Sequence, residues 1–287
     1  MQIINIILVF ALFVGCTSTS SQQASEMVIG TYSSPPHNGD TILYDTLISQ
    51  LEDLNCNTYN WLIMPNEKSY EQLKEFLPVA QKKGIEVWAT LIPPVELASM
   101  AVGEYSTNDM RIWAAQLAGL SVKYPNFKAW TIDDFTHSVK LYTPKYVSEF
   151  QTIAKKINPG FKFYPVCYYK GMYPKFVSLY GSIIDGIVFP YRNESVEKNL
   201  TDPSHVASEI NEIRNRFGRE LPIFLDVYSS AHSKLGEPSP EFISKVIESG
   251  IQQADGIIIF RHPSPRWDSK KYEIVKTSIA KGLKEKK

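Results

Sequence analysis

Lys82-Lys83-Gly84-Ile85-Glu86-Val87-Trp88 closes one element and opens another. Two cations before a glycine mark a helix C-terminus. The lysines oppose the negative end of the helix dipole, and glycine takes the left-handed turn that follows. The apolar run that begins at once suits a strand covered on both faces, as in a parallel sheet. Gly256-Ile257-Ile258-Ile259-Phe260 reads the same way. Thr143-Pro144 and Asp202-Pro203 pair an N-cap residue with a first-turn proline. Asn158-Pro159-Gly160 and Phe217-Gly218 stop two further helices.

Working outward, this punctuation predicts strands over 27–32, 57–64, 86–92, 127–133, 162–167, 186–191, 222–228 and 256–261. Between and after them it predicts helices over 41–54, 69–83, 107–124, 144–157, 173–180, 203–217, 240–249 and 269–283. Eight strand-helix units match a single (β/α)8 TIM barrel of the α/β class, spanning 27–287. A doubly wound sheet is the competing architecture, but it usually needs fewer units. No glycine-rich dinucleotide loop or Walker sequence occurs.

The chain has 287 residues, 44% of them apolar and 21% charged, with zero formal net charge. That buries a full core and offers no basic excess to hold nucleic acid or an anionic membrane. Neutral polymers or small molecules suit it better. Aromatic residues reach 12%, with 16 Tyr, which serves core packing and sugar stacking equally well. Ile3 to Val14 form an apolar run too short to span a bilayer but suited to a signal-peptide core. Phe13-Val14-Gly15-Cys16 resembles a lipobox, so 1–15 reads as signal peptide and Cys16 as the lipidated residue. The polar stretch over 16–26 reads as its flexible tether. The expectation is an exported protein, lipid-anchored to a bacterial membrane, with membrane contact through the anchor only. Cys56 and Cys167 read as buried free thiols.

In such a barrel, chemistry sits at the strand C-termini and the loops beyond them. There the sequence places Tyr32 and His37, then Trp88, then Trp130-Thr131-Ile132-Asp133-Asp134-Phe135-Thr136-His137. Tyr164 and Tyr168 follow, then Tyr191 and Arg192, Asp226 and Tyr228, and Arg261 and His262. All these non-acidic residues are candidate substrate contacts, apart from those around the aspartates that pack the strand. Trp267 is a further stacking candidate, while Trp61 and Trp113 read as packing. Strand alternation puts Trp130 and Ile132 against the helices and Thr131 and Asp133 in the interior. Asp134 reaches the mouth only if the strand ends there. Two carboxylates so close resist joint ionisation, so one can stay a proton donor beside an anionic partner. Asp226 is the candidate acid across the mouth. Glu194, Glu96 and Glu104 are weaker candidates; the last two lie in the long loop over 93–106. The bland alternative caps a loop with Asp134 and pairs Asp133 with Arg192 or Arg261.

Trp130-Thr131-Ile132-Asp133-Asp134-Phe135 resembles the aspartate pair of glycoside hydrolases that cleave N-acetylhexosaminides by substrate-assisted catalysis, the O-GlcNAc hydrolase and chitinase-like families. The resemblance implies a carbohydrate substrate, with Asp133 orienting the acetamido group and Asp134 as general acid/base. It also implies Tyr191 or Tyr228 as donor to the acetamido oxygen. A two-carboxylate mechanism pairing either aspartate with Asp226 is the other catalytic route. No cofactor is expected. Metal chemistry through His37, His137, His232, His262 and Asp226 lacks a His-x-His or H-E-x-x-H start. A non-catalytic glycan-binding barrel and a scaffolding lipoprotein complete the alternatives. Oligomeric state is not legible.

Overall fold

The computed structural model describes residues 27–100, 105–218 and 220–286. The leader, Cys16, the tether and Glu104 lie outside the described residues. Eight parallel strands form the sheet: β1 Val28–Tyr32, β2 Thr58–Ile63, β3 Glu86–Leu91, β4 Phe127–Ile132, β5 Lys162–Phe163, β6 Ile187–Pro190, β7 Ile223–Tyr228 and β8 Gly256–Phe260. Their hydrogen-bonded order is β5-β4-β3-β2-β1-β8-β7-β6. The seam between β5 and β6 closes through a parallel bridge of Val166 to Val188, with Cys167 N donating to Val188 O at 2.8 Å. β5 is short as a regular strand because Pro165 has no N–H to give. Pairing with β4 nonetheless continues through Val166 N to Ile132 O at 3.0 Å.

The outer layer comprises α1 Tyr44–Asp53, α2 Glu67–Lys82, α3 Met110–Lys123, α4 Pro144–Ile157, α5 Pro174–Tyr180, α6 Val206–Phe217, α7 Pro240–Gln253 and α8 Ser269–Lys286. Thr143 and Ser239 cap α4 and α7 by accepting from Tyr146 N and Phe242 N, each before a first-turn proline. Gly84 and Gly218 take φ of +70° and +59° behind α2 and α6, a conformation that costs glycine little. Asp202-Pro203 does not start its helix. Asp202 Oδ1 accepts from Ser204 N at 2.9 Å and closes a turn, and α6 begins only at Val206. The periodicity does not give a small hairpin, His37–Asn38 with Thr41–Ile42, a short helix, Pro94–Met100, in the loop after β3, or the single 3-10 turns Phe135–His137 and Tyr169–Gly171.

Side-chain alternation sorts the strands into an inside and an outside. Outside, Trp130 packs on Phe150 and Phe163 with ring centres 5.2 and 4.8 Å away. Trp61 meets Phe76, and Trp113 meets Tyr70 and Tyr105, as packing residues should. Inside, Trp88, Tyr164 and Phe224 fill the floor with ring centres 4.7–5.1 Å apart. Gly186 makes this fit possible, since a Cβ there would lie 2.9 Å from the Tyr164 ring. Trp88 and Tyr164 are therefore floor packing and not sugar platforms; their depth in the barrel keeps them from the mouth. Above them Thr90 Oγ1 bonds Asn60 Oδ1 at 2.9 Å and Thr131 Oγ1 at 2.6 Å, a polar layer beneath the cavity. Cys56 and Cys167 are buried free thiols.

Candidate active site

A cavity of about 520 Å3 opens at the C-terminal ends of the strands. Asp133, Asp134, Asp226 and Glu96 all line it. β4 ends at Ile132, as the aspartate pair requires. Asp133 continues the inward face after Thr131, and Asp134 adopts φ +43°, which turns the chain at the mouth. The left-handed region is costly for residues with a Cβ. Besides Asp134, it holds Ser33 and Ser34 after β1, Asn193 after β6 and Arg261 after β8. Five of the six non-glycine residues with positive φ among those described thus lie at this end of the barrel, the sixth being Asn55 between α1 and β2.

Each acid has its own surroundings. Asp133 Oδ2 accepts from Tyr32 OH at 3.0 Å and its Oδ1 from Asp134 N at 3.0 Å. Burial, reinforced by the Asp134 charge, outweighs these bonds and pushes its carboxyl up to about 6. For Asp134 burial also acts upward, but bonds from His137 and Tyr168 and the Arg192 charge hold it below the ordinary carboxylate value. Tyr168 OH lies 2.5 Å from Asp134 Oδ1, and His137 Nδ1 3.6 Å from Oδ2. Tyr168 is itself fixed by the His137 ring, stacked at 4.4 Å, and by the Arg192 guanidinium 3.7 Å from its centre. Asp226, on β7, is pushed well above the ordinary range by burial and then by Asp133. Its Oδ1 is buried and has no hydrogen-bond partner among the described residues. Burial and the two β4 aspartates raise Glu96 to about 8.

Of the other candidates, Tyr32, His137, Tyr168, Arg192, Tyr228 and Arg261 line the cavity. Arg192 pairs with Glu194 inside the wall, not with Asp133. Glu194 also accepts from Lys170 N, which makes it a structural acid. Tyr191 is fully buried and gives its hydroxyl proton to Asp202 O at 2.9 Å, so it is not a donor at the mouth. His262 is buried behind β1, bridging Thr31 Oγ1 and Gln50 Oε1 at 2.9 and 2.8 Å. Being outside the cavity, it makes a structural contact. His37 sits exposed on the small hairpin, 6.1 Å from the Trp267 ring, away from the aspartates. Glu96 joins the aspartates at the mouth. The short helix Pro94–Met100 carries it over the mouth, and Pro93-Pro94 ahead of an acid in the first turn was the available signal. Asn60, Lys198 and Lys234 also line the cavity without having been singled out.

No protein-family model matches the chain, and no curated protein matches it. Solved structures do. A glucosidase from Croceicoccus marinus superposes with TM-score 0.64 at 10% identity, over 89% of this chain and 66% of that one. A GH5_18 protein from Streptomyces cattleya in complex with Manb1-4GlcNAc gives 0.65 at 13%, over 91% and 80%. Cel5A of Thermotoga maritima in complex with mannotriose gives 0.61 at 12%, over 88% and 97%. The chain spans about half, 51%, of a GH2 beta-galacturonidase from Eisenbergiella tayi. At such identities the likeness establishes architecture: the chain is a (β/α)8 barrel similar to those of solved glycoside hydrolases.

Proposed function

We propose that the protein is a glycoside hydrolase acting on an oligo- or polysaccharide through Asp226 and the Asp133-Asp134 pair. One observation carries this reading: acids from β4 and β7 line one cavity with opposite proton affinities. Environments that drive carboxyl groups apart divide them into donor and anion. Burial favours the protonated form of Asp226, which gives its proton to the glycosidic oxygen as the bond breaks; water then adds to the anomeric carbon and returns a proton to the acid. Asp134, held anionic by Tyr168 and His137, faces the positive charge that develops at the anomeric carbon. These electrostatics run against the motif-order assignment, in which Asp134 was the acid. On an N-acetylhexosaminide, Asp134 would instead be the anion that orients the acetamido group, with Tyr228 as the nearby hydroxyl.

A panel of aryl glycosides that includes the N-acetylglucosaminide and plain hexosides tests the reading. Wild type cleaves at least one, and Asp226→Asn retains binding while losing turnover. Equal cleavage of plain hexosides and N-acetylglucosaminide removes acetamido participation. A glycan-binding barrel without catalysis is the second reading, favoured by the contacts that already satisfy Asp134. Wild type that binds glycans and cleaves none would establish it. The proposal includes export and lipidation at Cys16, tested by fatty-acid labelling and fractionation of wild type against Cys16→Ala.

A further inference from the structure

The acids occupy only part of the cavity wall. The loops after β6, β7 and β8 bring Lys198, Lys234 and Arg261 to the same cavity. None of the three is ion-paired among the described residues. Several cations elsewhere are paired, as Lys155 is with Asp185 at 2.8 Å, Arg214 with Asp255 at 2.9 Å and Lys276 with Asp53 at 2.6 Å. Even Arg192, in the same wall, has Glu194. These three exposed cations share the cavity with the acids but form no ion pair with them, which leaves their charges to a bound group.

His232 adds a directional donor to this wall. Its Nδ1 accepts from Lys234 N at 3.0 Å and Leu235 N at 3.2 Å. An imidazole nitrogen that accepts two backbone N–H bonds holds no proton, so the proton of the neutral ring sits on Nε2. The turn that fixes this closes through Gly236 at φ +75°, with Gly236 N donating to His232 O at 3.0 Å. Burial, and then the charges of Arg192 and Lys198, hold the ring's affinity for a second proton down against the opposing charge of Asp134. His232 is therefore a neutral N–H donor set among cations.

We infer that the wall formed by Lys198, Lys234, Arg261 and His232 receives an anionic group, a carboxylate or sulfate, carried by the glycan that the cavity binds. The substrate class is then an acidic oligosaccharide, bound with its charged substituent on these cations. This inference rests on the glycoside hydrolase reading for the identity of the ligand, and departs from the neutral polymer that the net charge suggests.

Matched probes differing only in charge test it: trigalacturonate against its methyl ester, and 6-sulfo-N-acetylglucosaminide against the unsulfated sugar. Binding is measured by calorimetry on wild type and on Asp226→Asn, so that hydrolysis is not needed as a readout. The expected result is that at least one charged probe binds about tenfold tighter than its neutral partner at low salt. Lys234→Gln/Arg261→Gln removes most of that preference. Lys281→Gln, a remote surface charge on α8, leaves it unchanged. Equal binding within both pairs, absence of binding by all four probes, or a preference that survives the double substitution overturns the inference. Cleavage of neutral aryl glycosides alongside any of those results leaves the hydrolase reading intact. A charged-probe preference without cleavage of any glycoside retains the anion wall and removes the enzyme.

Discussion

The floor and the mouth of this barrel are built from the same strands and differ in what their inward residues are asked to do. β3 gives Trp88 and β7 gives Phe224 to the floor, where rings interlock over Gly186. Two residues beyond Phe224, Asp226 stands in the cavity, and two beyond Trp88, Thr90 bonds in the polar layer. The floor satisfies packing: apolar, unstrained and without titratable charge. The mouth carries crowded carboxylates, left-handed backbone and unpaired cations. Each of those costs stability, which the close-packed floor offsets. Stability and chemistry are thus separated by about two residues of strand, some 7 Å along its axis.

The strongest test of that division is a pair of substitutions read for both properties. Asp226→Asn should cut turnover by about 10²–10⁴-fold, the worth of a positioned proton donor. It should leave Tm unchanged or higher, since it removes a buried acid. Steady-state kinetics and thermal unfolding on one preparation check this; a large loss of Tm without loss of turnover would assign Asp226 to the scaffold. Trp88→Ala should do the reverse. Truncating a fully enclosed Trp costs ~3–5 kcal/mol of stability, measured by denaturant unfolding, with little change in KM for the protein that remains folded.

A smaller effect lies within the mouth. Tyr168→Phe removes the proton donor to Asp134 Oδ1. Losing a hydrogen bond to a charged acceptor should raise the Asp134 pKa and lower turnover about tenfold. The acidic limb of the pH-rate profile should move to higher pH with it. A profile that does not move would show that Asp134 takes no part in the titration of activity.

The smallest expected effect concerns the cost of crowding the acids. Asp133 is raised from an ordinary 3.8 to about 6, so the folded chain holds its proton more tightly than the unfolded chain does. That stabilises the fold below the unfolded value, and the contribution is lost as pH rises through about 6. Asp133→Asn cannot titrate. Its Tm relative to wild type should therefore increase by a few degrees from about pH 4 to about pH 8. Carbon-detected NMR should place the Asp133 carboxyl midpoint near the same pH. A Tm difference that is flat with pH would show that Asp133 is solvated and not under strain.

Local sequence determined the eight units, since caps, glycine stops and apolar runs act over a few residues. It also determined that Asp133 faces inward and that Asp134 needs the strand to end, because alternation is a property of one strand. Tertiary structure decided depth and company. Whether an inward aromatic joins the floor, as Trp88 and Tyr164 do, or the mouth, as Tyr32 and Tyr168 do, depends on the stagger between strands far apart in sequence. The same holds for the escape of Tyr191 to Asp202, the arrival of Glu96 on the helix Pro94–Met100, and which aspartate is pushed up and which down. Proton affinity is set by burial and neighbouring charge, and neither exists until the ring has closed.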